Sequence, residues 1–84
     1  MSSYIYLFEL ADGKQKVGHT NQIDRLQCGQ GKLMKTSRVS TDDVAQIEAN
    51  IMAELMQTFE LAHGSEYFYG DSVKIGEIIE RHVI

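Results

Sequence analysis

Four side chains of this 84-residue chain form a set suited to cleaving a phosphodiester: Tyr6, Lys16, Arg25 and Glu48. An arginine stabilises charge on a phosphoryl group, and a carboxylate holds a divalent cation. A tyrosine or lysine helps manage the proton of an attacking water. Taken singly, each has a plainer use: strand tyrosines whose hydroxyls reach water, a solvated lysine or arginine, a carboxylate paired with a cation. Only the combination points to chemistry, and it requires distant parts of the chain to meet.

Glu48 carries the strongest single-residue signal. Val44, Ile47, Ile51, Leu55 and Phe59 repeat at helical spacing, with Met52 widening the stripe. At roughly 100° per residue, Glu48 points between Leu55 and Phe59. A carboxylate on a core-facing stripe pays for desolvation unless it meets a cation, a metal or donors. It is therefore either a residue at the open end of the stripe, paired with Lys or Arg, or a metal ligand or catalytic carboxylate on the floor of a cleft. Asp43, Glu54 and Glu60 lie off that centre.

The segment "YIYLFELADGKQKVGHT" (residues 4–20) reads as a β-hairpin. Its register decides which side chains meet. A two-residue Asp12-Gly13 turn places Tyr6 opposite His19 and sends Lys16 to the other face. A three-residue Ala11-Asp12-Gly13 loop with a glycine bulge pairs positions 8 and 16, and Tyr6 and Lys16 then share a face. Asp-Gly suits either turn, and the bulge is the expected register. It groups Tyr4, Tyr6, Phe8, Lys16 and Gly18, with Gly18 leaving space beside Tyr6.

The remaining elements follow from caps and breaks. Thr20 or Asn21 caps a short helix over about 21–28 that carries Arg25 and ends at "CGQG". "LMKTSRVS" reads as a third strand. Ser40 or Thr41 caps the main helix, which runs to about Phe59, with Asp42 and Asp43 suited to its N-terminal dipole. "AHGS" is a break and "EYFYG" a short extended piece, in which Tyr67 and Phe68 close the core. Asp71 or Ser72 caps a final helix to about His82. The expected fold is one small α+β domain over residues 1–84, a three-stranded antiparallel sheet flanked by helices.

Composition bounds the rest. Apolar content of 43% fits a folded domain, and the single Cys28 allows no internal disulfide, consistent with a reducing cytoplasm. No apolar run approaches the roughly 20 residues of a membrane span, and "MSSYIY" does not resemble a signal peptide. The net charge of −4 disfavours a general nucleic-acid binder, yet it is unevenly spread. Residues 1–40 hold six basic and three acidic residues, and residues 41–84 hold two basic and nine acidic. Such polarity can leave a basic face on an acidic protein. His63 and His82 have no partners at ligand-like spacing and read as surface or helix-end residues.

"YIY" at 4–6, "KVG" at 16–18, Arg25, Glu48 and "GSEYF" at 64–68 together resemble the GIY-YIG nuclease superfamily. The likeness is to its phage- and virus-borne branch, in which the second signature reads "KIG" and a "GEWF"-like patch follows the glutamate helix. It spans about residues 4–70. Tyr4 stands where the first motif has glycine, and Lys16 where the second has tyrosine. The resemblance implies a DNA endonuclease using Mg²⁺ or Mn²⁺. Tyr6 and Lys16 would flank the nucleophilic water, Arg25 would contact the phosphate and Glu48 would bind the metal. Lys16 would need a lowered pKa to act as a base. His19, ordinarily titrating near neutrality, is a further candidate proton acceptor, and Glu66 a supporting contact.

With eight Lys and Arg residues and no basic tail, DNA affinity would be weak without a partner or a homodimer. The competing expectation is a catalytically weak or inactive phage-type protein on the same fold, which binds and modulates a host protein or nuclease in the host cytoplasm.

Overall fold

The computed structural model describes residues 2–22, 31–63 and 67–83, with the backbone alone described at 62 and 63. The elements run β1 (Ser2–Glu9), β2 (Lys14–Thr20), β3 (Lys32–Ser40), α1 (Val44–Thr58), β4 (Glu60–His63), β5 (Tyr67–Tyr69) and α2 (Ser72–Val83). This is a small α+β arrangement. The sheet, however, has five antiparallel strands in the order β3-β1-β2-β5-β4. The expected three strands are its β3-β1-β2 part. The break read at "AHGS" overlaps β4, and "YFY" forms β5 against β2. Of the short helix expected over 21–28, residues 21 and 22 are not helical and the rest, with Arg25 and Cys28, lies outside the described residues, as does Glu66.

Period-two alternation explains the layering. Ile5, Leu7, Val17, Val39 and Phe68 point to one face and enter a single core with Val44, Ile51, Leu55, Ile75, Ile78 and Ile79 of the helices. Both described helices therefore cover the same face. Ile5, Val17, Ile51, Leu55, Phe68, Ile75 and Ile79 are completely excluded from solvent. At about 25 cal/mol per Å² of apolar area removed from water, this layer supplies most of the driving force for folding. Ile47, Met52 and Phe59 border the core, completing the stripe seen in the sequence.

The helix starts show local capping chemistry. Asp71 Oδ1 accepts from the Val73 amide at 2.9 Å, opening α2 as expected. The start of α1 differs. Asp43, not Ser40 or Thr41, is the N-cap, and its side chain makes no capping bond. The Ser40 hydroxyl accepts from the Asp42 amide at 3.3 Å, so it shapes the turn before the helix. Where the two helices meet, Glu54 takes bonds from Arg81 and from His82 Nε2, the latter at 2.8 Å. The hydrogen bond from His82, then that from Arg81, holds the Glu54 carboxyl below its ordinary value of 4.5. No helix among the described residues is long and apolar enough to cross a membrane.

Candidate functional site

The hairpin turn sets the geometry. The Leu10 amide donates to the Lys14 carbonyl at 2.8 Å and the Gly13 amide to the Leu10 carbonyl at 2.9 Å. Gly13 sits at φ +89°, a conformation glycine adopts without Cβ strain. The loop is thus the three-residue Ala11-Asp12-Gly13 form, and the register is Tyr6↔Gly18 and Phe8↔Lys16. Asp12 closes the turn. Its Oδ1 accepts from the Lys14 amide at 3.1 Å and its Oδ2 lies 2.9 Å from Lys14 Nζ. The Lys14 side-chain bond comes first among the causes that hold the Asp12 carboxyl below its ordinary value.

Tyr6 and Lys16 accordingly share the sheet face turned away from α1 and α2. The Tyr6 ring lies over Gly18: a Cβ added there would meet the Tyr6 hydroxyl at 2.5 Å. Phe8 packs edge-on to Tyr6, with ring centroids 5.3 Å apart at 64°. Lys16 Nζ stands 5.7 Å from the centre of the Tyr67 ring, within cation–π range.

Glu48 and His19 are elsewhere. His19 pairs with Ile5, so it belongs to the helix-covered face, at the far end of β2. There its Nδ1 lies 2.8 Å from Glu48 Oε2, on the second turn of α1. Glu48 thus meets an imidazole rather than Lys or Arg, and its side chain is 24% exposed. The sheet separates this pair from Tyr6 and Lys16. Arg25 lies outside the described residues. Two pairs of the expected set thus form on opposite faces of the sheet, Tyr6 with Lys16 and His19 with Glu48.

Glu48 is a single carboxylate already engaged by His19, and among the described residues no group of three His, Cys, Asp or Glu side chains gathers. Mg²⁺ can be held by one or two carboxylates together with substrate phosphates. Here the carboxylate lies across the sheet from the residues that would handle the water. Among the described residues, no carboxylate shares a metal-binding cluster with Tyr6 and Lys16.

Register reveals residues the sequence reading missed. Arg38 and Tyr4 are cross-strand partners, as are Thr36 and Tyr6, Lys16 and Tyr67, and Lys14 and Tyr69. All four tyrosines of the chain thus lie on one face with Lys14, Lys16 and Arg38. Glu60, opposite Tyr69, is their acidic neighbour in the ladder. The signal was present in "EYFYG", where Tyr-Phe-Tyr alternates at period two. Phe68 is indeed in the core, but Tyr67 points to the other side. Charge also divides by layer, since α1 and α2 carry Glu48, Glu54, Glu77 and Glu80 against Lys74 and Arg81.

Compared with known proteins, the chain matches no family model, no curated protein and no solved structure.

Proposed function

We propose that this domain is a protein-binding module, which engages an acidic partner through the tyrosine, lysine and arginine side chains of the sheet face turned away from α1 and α2. The carrying observation is the joint placement of Tyr4, Tyr6, Tyr67 and Tyr69 with Lys14, Lys16 and Arg38, while Glu48 bonds to His19 across the sheet. Tyrosine and arginine dominate the energetics of protein interfaces, because they combine large contact area with directional polar groups. A basic face on a chain of net charge −4 favours an acidic protein surface over nucleic acid. Affinity capture with the wild-type domain beside an Arg38→Glu/Tyr69→Ala double variant tests this. A protein retained by wild type and lost with the variant supports the reading, and identical retention by both overturns it.

A second reading, a GIY-YIG-type DNA endonuclease using Mg²⁺ or Mn²⁺, is favoured by one specific observation. Tyr6 sits over Gly18 with Lys16 on the same face, as the resemblance to that superfamily implies. In it, Arg25 contacts the phosphate. Incubating supercoiled and branched DNA with either metal separates the two readings. Nicking by wild type that disappears in both Glu48→Ala and Arg25→Ala, with the fold intact, establishes the nuclease. Inert wild type at high protein concentration removes it.

A further inference from the structure

Strand β3 is at the edge of the sheet. Eight of its nine residues pair with β1 on one side, Met34 standing at a bulge, and no strand among the described residues lies on the other. Beside that edge, β3 and α2 bound a groove of about 280 Å³, lined by the apolar Leu7, Met34, Val73 and Gly76 and by the charged Lys35, Glu77 and Glu80. The absent side chain of Gly76 is part of the space: a Cβ there would stand 3.6 Å from the Lys35 side chain and 4.0 Å from that of Leu7. Met34 and Val73 are 38% and 64% exposed although apolar. The volume lies below the roughly 300–1,000 Å³ of small-molecule sites and suits one or two side chains.

Charge selects what can pair with the edge. The strand "KLMKTSRVS" holds Lys32, Lys35 and Arg38 and no acid. Lys35 stands 3.8 Å from Glu80, whereas Lys32 and Arg38 meet no carboxylate among the described residues at ion-pair distance. Cations on an edge strand oppose pairing with a second copy of the same strand. They favour an acidic segment.

Resting on the protein-binding reading above, we propose that the partner contributes an extended acidic segment that adds to β3 as a further strand. Main-chain bonds to the free edge hold it, as in other strand-addition complexes. Its side chains alternate between faces. An apolar one fills the β3–α2 groove, and acidic neighbours on the opposite face reach Arg38, where the edge adjoins the tyrosine-bearing surface.

The test selects linear 12-residue peptides from a random phage-displayed library against the whole domain, then measures the best synthetic peptide by fluorescence anisotropy. The expected peptides are net negative with an apolar anchor. Gly76→Leu, which fills the groove while improving helix propensity, weakens binding at least tenfold and raises the thermal midpoint. Arg38→Glu weakens it several-fold, and β3 amides show cross-strand contacts to the peptide by NMR. Failure to enrich any peptide overturns the proposal. Binding that survives Gly76→Leu but is lost in Tyr69→Ala overturns the groove and leaves the tyrosine face standing. Binding unchanged in all three variants overturns both. Self-association of the free domain with contacts between β3 amides of two copies shows the occupant to be a second copy, and also overturns it.

Discussion

The two faces of this sheet are built by the same strands and carry opposite kinds of information. One face is Ile5, Leu7, Val17, Val39 and Phe68, sealed under two helices. The other presents Tyr4, Tyr6, Lys16, Arg38, Tyr67 and Tyr69. Stability resides mainly on the first, the second is the one we propose for recognition, and adjacent residues of a strand fall on different sides of that division. His19 illustrates the division. It is three residues from Lys16, and the pleat sends it to the helical side to meet Glu48.

Substitutions can break or sharpen that contrast. The largest effect belongs to the sealed face. Leu55, with no exposed surface, lies at its centre, and Leu55→Ala costs about 2–5 kcal/mol. Tyr69→Ala, at a position 47% exposed, changes stability by less than about 1 kcal/mol. Urea unfolding of both variants checks the pair; equal losses would erase the division.

Gly18→Val comes next. Its side chain must displace the Tyr6 ring, because even a Cβ meets the hydroxyl at 2.5 Å. The expected cost is about 1–3 kcal/mol. Tyr6→Phe in the same background should recover part of it, which a double-variant cycle measures.

Smaller still is the His19–Glu48 pair, whose side chains are 44% and 24% exposed. Glu48→Gln is expected to cost no more than about 1 kcal/mol in thermal unfolding at neutral pH. A much larger loss would give this pair a structural weight comparable to the core.

The smallest effect is a pH dependence. Glu54 has a folded pKa below its ordinary 4.5, through its bonds to His82 and Arg81. Its contribution is therefore present above the unfolded value and is lost as pH falls through the folded one. Unfolding midpoints of wild type should drop more steeply on acidification below about 4.5 than those of Glu54→Gln. Parallel curves would show that Glu54 is not a source of the acid sensitivity.

What could be read from the sequence follows from periodicity. The hairpin, its three-residue loop, the stripe of α1 and the Asp71 cap are local patterns, and each formed. β4 and β5 were read only as a break and an extended piece, because strands of four and three residues carry too few alternations to announce a sheet. The partner of Glu48 was not legible for a different reason. A helical stripe shows that a carboxylate points toward the sheet, but not which of the sheet's faces the helix covers. α1 covers the Ile5 and Val17 face, so Glu48 met His19 and not Tyr6 or Lys16.

The Ala11-Asp12-Gly13 loop, with Gly13 at φ +89°, also sorts the side chains of β2 between the two faces. A slip of one residue into the shorter Asp12-Gly13 turn would carry Lys16 under the helices and Val17 out among the tyrosines. A point substitution at Lys16 edits one contact, whereas losing the left-handed glycine removes the feature that selects the register of the whole returning strand. A residue with no side chain of its own thus decides which side chains of its neighbours meet the core.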